Sequence, residues 1–196
     1  MSERRSAAET REAILDAAVE VMAAKGVVGA TTGDIAKRAG ISQPYVFRFF
    51  PTKRDLVLAV NERCAERIIT TWETAVQKPG ETRLETLGRT YVETLPERRG
   101  ELLVLLYGYG AAQDPVMAEA MRERLARVYR YVVGQAERDG CEDPYEAAAR
   151  FIGRGFFINA AMAIGLESEL TEEEWSGVCP LANVARIDDR LEPVGS

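Results

Sequence analysis

Residues 31–56 read TTGDIAKRAGISQPYVFRFFPTKRDL, and this stretch decides the fold. Thr31 or Thr32 starts a short helix. Ile35 and Ala36 face inward, and Ala36 is small enough to let a second helix approach. Gly40 falls four residues later, where a tight turn needs a residue tolerant of positive φ. Ile41 plugs the turn, Ser42 caps a second helix opening Gln43-Pro44, and Val46 points back at the first. A small residue, a glycine four later and an aliphatic ten later is the packing signature of a helix-turn-helix. Helical hairpins of other kinds can mimic that signature.

The outward face of the second helix narrows the reading. Gln43, Pro44, Tyr45, Phe47 and Arg48 sit in its first two turns. Glutamine pairs bidentately with adenine N6 and N7, and Pro44 with an aromatic edge can hold a thymine methyl. Thr32, Arg48, Lys53 and the capped helix start at Thr52 can reach phosphates. Phe50 and Phe49 read as packing residues, and Lys37 and Arg38 as a solvated face.

Working outward, Pro51, Pro79, Pro96, Pro115, Pro144 and Pro180 leave intervals that each suit a helix or a helix and loop. Ser6 with Glu9, Thr52 with Asp55 and Thr171 with Glu174 have capping-box spacing. Asp114-Pro115 and Asp143-Pro144 read as an N-cap followed by an N1 proline. Ile14, Ala17, Ala18, Val21 and Met22 share one helical face that Gly26 ends. Leu56, Val60, Cys64 and Ile68 form a second stripe, and Leu84, Leu87, Tyr91 and Leu95 a third. Val116, Met117, Met121, Leu125, Val128 and Val132 form a fourth. Sustained alternation is absent, so the chain is expected to be all-α. Leu102 to Tyr109 is the one stretch that could be a strand, with no partner strand elsewhere. The expected division is a three-helix DNA-binding unit at 1–55 and a helical ligand-binding and dimerisation unit at 56–190, with a frayed tail from 187.

Composition excludes several classes. The chain has 196 residues, 46% hydrophobic, and no histidine. That removes the imidazole of Ser-His-Asp and Cys-His enzymes and the commonest metal ligand. Cys64, Cys141 and Cys179 are widely spaced, an odd set that fits neither a disulfide framework nor a zinc site, and a reducing cytoplasm is the simplest compartment. No apolar run approaches a membrane span, and the first residues, MSERR, do not read as a secretory signal. The net charge is −6, but it is unevenly spread. Residues 1–55 hold nine Lys/Arg against seven Asp/Glu, and 56–196 hold sixteen against twenty-four. A basic block on an acidic body hints at the partners and settles nothing alone.

Residues 10–56 resemble the N-terminal DNA-binding domain of the TetR/AcrR family of transcriptional repressors. The resemblance rests on Thr31-Thr32, Ile35-Ala36, Ala39-Gly40-Ile41-Ser42, the aromatic run Phe47 to Phe50, Lys53 and Asp55-Leu56. It covers about a quarter of the chain. Three departures stand out. Phe47 replaces a tyrosine whose hydroxyl often meets a phosphate, Gly33 stands where some members place a base-reading cation, and Phe49 replaces a polar phosphate contact. The resemblance implies an all-helical C-terminal domain whose pocket binds a small effector and tilts the helix that begins at Lys53. By position, Tyr91, Tyr107, Phe156 and Asn159 are the implied pocket residues, although ordinary core packing also accounts for each. No cofactor, metal or catalytic residue is implied.

One helix-turn-helix reads few base pairs, so a homodimer on an inverted repeat is expected. Pro144 to Leu166, with Phe151, Ile152, Phe156, Ile158, Ala160, Ala161 and Ala163, is the candidate interface, partnered by 171–184. In position it resembles the family's dimerising helix. Two competing readings remain at this point. One is a helical enzyme or carrier, opposed by the lack of GxSxG, HExxH and P-loop motifs. The other is a helical ligand-binding or protein-interaction module that binds no operator.

Overall fold

Ser6 starts the first helix by a reciprocal bond. Its hydroxyl accepts from the Glu9 amide at 3.2 Å, and the Glu9 carboxylate accepts from the Ser6 amide at 2.7 Å. The computed structural model describes residues 6–178, which fold into α1 (Ala7–Gly29), α2 (Thr32–Ala39), α3 (Gln43–Phe49), α4 (Lys53–Glu73), α5 (Arg83–Gly110), α6 (Pro115–Arg138), α7 (Pro144–Ile164) and α8 (Glu172–Val178), with a 3₁₀ turn at Leu166–Ser168. The all-α expectation holds. Cys179, the 179–184 part of the proposed interface partner, and the tail from 187 lie outside the described residues.

Two compact units emerge. The first comprises residues up to 67 together with 100–126, and the second comprises 68–99 with the chain from 127 onward. Helices α4, α5 and α6 each contribute one end to each unit. The core of the first unit gathers Ile14, Leu15, Ala18 and Met22 from α1, Ile35 and Ala36 from α2, and Val46 from α3. Phe50, Leu56, Val57, Val60 and Val104 complete it. The second unit packs Trp72, Leu87, Val132, Val133 and Ala148 together, with Tyr91, Tyr131 and Phe151 against them.

The caps foreseen from spacing are in place. Thr52 and Asp55 bond reciprocally, as do Thr171 and Glu174. Asp114 accepts from the Val116 and Met117 amides, and Asp143 from Glu146. Gly26, at φ 71°, is non-helical and interrupts α1 where the sequence placed its end, and one further turn carries Val27 into the core. Three expectations change. Helix α5 runs through Pro96, losing one ladder bond there, because Val92 and Leu95 before it and Leu102 and Val104 after it are all buried. The same helix absorbs Leu102 to Tyr109, so the possible strand is helical. Val116 of the fourth stripe is 48% exposed, in the first turn of α6.

The α2–α3 turn depends on Gly40 at φ 70°, ψ 32°. Its amide bonds Lys37 O and the Ile41 amide bonds Ala36 O at 3.0 Å, closing a Schellman turn. A side chain in that left-handed conformation costs about 1–2 kcal/mol. Gly40→Val should therefore lower the urea midpoint by that equivalent while leaving the denaturant slope unchanged, as read by circular dichroism.

Candidate nucleic-acid interface

Helix α3 has seven residues and one fully buried side chain, Val46. Everything else on it is arranged by that anchor. Val46 and the following Phe50 face the core, while Gln43, Pro44, Phe47 and Arg48 face outward. Tyr45 and Phe49 are half-buried and pack edge to face, with ring centroids 5.5 Å apart at 86°. The Arg48 guanidinium lies 5.2 Å from the Tyr45 ring centroid, a cation–π contact that steadies a long side chain at the surface. Phe47, 41% exposed, projects bare carbon edges from the same face.

Ser42 holds the N-cap position, yet its hydroxyl makes no capping bond. The reason is local. Of the two amides a cap usually serves, Pro44 has none and Tyr45 donates to the Ser42 carbonyl at 3.0 Å. The start of α2 is capped fully: the Thr31 hydroxyl accepts from the Asp34 amide, and the Asp34 carboxylate accepts from the Thr31 amide and hydroxyl.

The predicted contact residues come together in part. The Gln43 amide nitrogen donates to the Thr32 hydroxyl at 2.8 Å, joining the first turns of α2 and α3. That bond uses one of the two N–H donors of Gln43 and leaves its carbonyl oxygen and the Thr32 proton free to meet a ligand. A Cβ at Gly33 would lie 3.8 Å from Gln43 Oε1, an ordinary contact, so the glycine is not forced by space. Lys53 makes one bond within the unit and keeps two N–H donors. Its Nζ donates to the Val28 carbonyl at 2.8 Å, tying the start of α4 to the end of α1. Arg38 pairs with Glu20, and Arg54 with Asp114 at 3.0 Å.

Of the implied pocket residues, Tyr91 and Asn159 meet directly: the phenol donates to Asn159 Oδ1 at 2.6 Å. Phe156 is half-buried on the same helix as Asn159. Tyr107 belongs to the first unit and is 36% exposed. Among the described residues no group of three or more Cys, Asp or Glu is placed to hold a metal ion, and no helix is long and apolar enough to cross a membrane.

The same stretch is the one that matches a defined family of known proteins. Residues 14–60 match the family model for bacterial regulatory proteins of the tetR family. The matched stretch is about a quarter of the chain, and over it the chain is similar to that family. The match takes in α2, α3 and the turn between them, so this pair is similar to that family's helix-turn-helix. The chain is 27% identical over 195 residues to the transcriptional regulator EthR of Mycobacterium tuberculosis, covering 95% of this chain and 86% of that protein. It is 26% identical over 152 residues to AcrR of Shigella flexneri, covering 73% of this chain and 62% of AcrR, less than two thirds of its length. A TetR-like regulator from Rhodococcus sp. RHA1 shares the fold, with a TM-score of 0.67 at 22% identity, over 93% of this chain and 96% of that one.

The Asp34 carboxyl is held down to about 2, first by the hydrogen bond from Lys25, then by the Thr31 hydroxyl and amide. Its ordinary value is 3.8, so the folded pKa is depressed. The stability it contributes is complete above about pH 4 and is lost as pH falls towards 2. Asp34→Asn should melt at a lower temperature than the parent at pH 6. The difference between the two should shrink steadily from pH 4 to pH 2 in thermal scans.

Proposed function

We propose that the chain is a dimeric transcriptional repressor that binds an inverted-repeat operator and releases it when a small-molecule effector occupies the second unit. The observation that carries this is the outward face of α3. A helix too short to stand alone is held by Val46 so that Gln43, Pro44, Tyr45, Phe47 and Arg48 are presented together. The face offers a bidentate amide, apolar edges for thymine methyls and a cation, which is the chemistry of major-groove readout. Phosphate contacts come from Arg48, the Thr32 and Ser42 hydroxyls and the start of α4. Lys53 acts on DNA through position: by holding Val28 O it fixes the angle between α1 and α4.

Dimerisation fits α7. Gly153, Phe157, Ala160 and Ile164 recur at four-, three- and four-residue steps and are all exposed, with Phe157 at 49% and Ile164 at 78%. This is a continuous apolar strip with small residues where a second helix would cross. The strip differs from the residues picked by sequence. Ile158 and Ala161 are buried within their own subunit, and Phe157 and Ile164 take their place on the outer face. Two reading heads on a twofold axis then meet successive major grooves, roughly 34–36 Å apart. The working place of such a protein is the cytoplasm, beside the chromosome.

In vitro selection of duplexes on the purified protein tests the reading, with an inverted repeat expected in the enriched pool. Affinity should fall by about 10³–10⁵ between roughly 50 and 200 mM salt if about 6–10 phosphates are neutralised. Gln43→Ala should cost about 1–3 kcal/mol of discrimination at one base pair per half-site and leave non-specific binding nearly intact. Arg48→Ala should weaken all sequences alike and lower the salt slope by about 1. Failure of both changes to alter specific binding would remove α3 from the interface. In sedimentation experiments, Ile164→Asp should yield monomers that keep the helical spectrum and lose operator binding.

A further inference from the structure

The second unit holds a cavity of about 530 Å³ walled by α4, α5 and α6 and distinct from the Tyr91–Asn159 pair. Its size falls within the range of small-molecule sites. One wall is rigid and aromatic. Trp72 is buried, its indole N–H donates to the Leu87 carbonyl at 3.1 Å, and its ring stacks on Tyr131 at 5.8 Å and 18°. The rim is cationic. Arg83, Arg130 and Arg138 line the cavity, against one acid, Glu73.

Those arginines stand out in a body whose excess charge is negative. None is paired with a carboxylate among the described residues: Arg138 donates only to Gln135 Oε1 at 3.4 Å. Asp139, next to Arg138 in sequence, accepts from the backbone amides of Arg83 and Leu84 at 2.8 and 2.9 Å and forms no ion pair with either arginine. That clamp secures the first turn of α5 to the end of α6, and so brings the Arg83 and Arg138 backbones close while both guanidinium groups keep their donors. Burial, and then the charge of Glu73, push the Tyr131 phenol above its ordinary value, so it stays a neutral hydrogen-bond donor.

From this arrangement we infer that the cavity binds an organic anion, with a carboxylate or phosphate held by Arg83, Arg130 and Arg138 and a flat apolar body against Trp72 and Leu87. Guanidinium groups match such oxyanions with paired N–H donors, and an apolar wall beside them selects an amphipathic ligand over a free ion. The inference names the effector class for the repressor reading and rests on that reading only for its consequence at DNA. Trp72 and Glu73 form the end of α4, the helix whose other end is Lys53. An occupant therefore touches the last turn of the helix that starts beside the reading head.

The test uses the full-length protein and a matched pair, 1-naphthaleneacetate and 1-naphthaleneacetamide, titrated calorimetrically. The two share one body and differ in charge. The carboxylate should bind at least about tenfold tighter, a difference of about 1.4 kcal/mol. The double variant Arg83→Gln/Arg138→Gln should bring the acetate down to the affinity of the amide and leave the amide unchanged. These arginines are solvent-exposed, so the thermal midpoint of the ligand-free variant should stay within a degree or so of the parent. Equal affinities for the two probes, no heat from either, or a preference that survives the double variant would each overturn the site. A carboxylate preference that leaves operator binding untouched would uphold the site and overturn the repressor reading instead.

Discussion

A helix of seven residues has no stability of its own in water. That α3 exists at all depends on the burial of Val46 and Phe50 against α1 and α2. The same constraint sets what the helix can offer. With one side chain committed inward and the rest left over, the outward residues are free to be chosen for their chemistry. The Schellman turn at Gly40 fixes the direction of α3, and the Gln43–Thr32 bond fixes its rotation. For the proposed base readout these restraints matter because base-edge recognition depends on the placement of a few side chains.

The head is also bound to the rest of its unit by charge. Arg63 of α4 is buried and pairs with Asp16 at 2.7 Å and Glu12 at 3.3 Å on α1, and with Glu101 on α5 at 3.5 Å. Arg67 adds a second bond to Glu101. A buried charge group is costly unless all its members are matched, so such a network favours one arrangement of α1, α4 and α5 and penalises intermediates. Lys53 on Val28 O acts in the same direction at the other end of α4. Helix α1 is thus gripped at Glu12–Asp16 and at Val28. Its kink at Gly26 lies between the two grips. In the proposed dimer, a rigid head would let two copies hold a fixed spacing.

Much of this was legible in the sequence, for a physical reason. Caps, turns and heptad-like stripes are local, and local rules located α1 to α4 and the starts of α6, α7 and α8. The positive-φ glycine at 40 and the inward Val46 followed from spacing alone. What escaped was decided by tertiary context. Pro96 reads as a helix boundary, yet buried residues on both sides outweigh one lost bond. Ser42 reads as a cap, but the proline two residues later removes its target. Lys53 reads as a phosphate ligand, and nothing local reveals that it also bonds Val28 O. On α7 the apolar residues are so many that periodicity cannot tell the inner face from the outer. Exposure distinguishes Phe157 and Ile164 from Ile158 and Ala161.

The implied pocket residues illustrate the same limit from another side. They were picked by position, and of them Tyr91 and Asn159 come together, the phenol donating to Asn159 Oδ1 at 2.6 Å. The cavity by Trp72 was invisible in sequence because its charged residues lie on two helices separated by tens of positions, and each arginine alone resembles a solvated surface charge. What makes them a set is that none of the three forms an ion pair with a carboxylate among the described residues. Asp139 spends its hydrogen bonds on the first turn of α5 and not on the guanidinium groups beside it. Three cations beside an aromatic wall, with Glu73 the one acid lining the cavity, favour a ligand of the opposite sign.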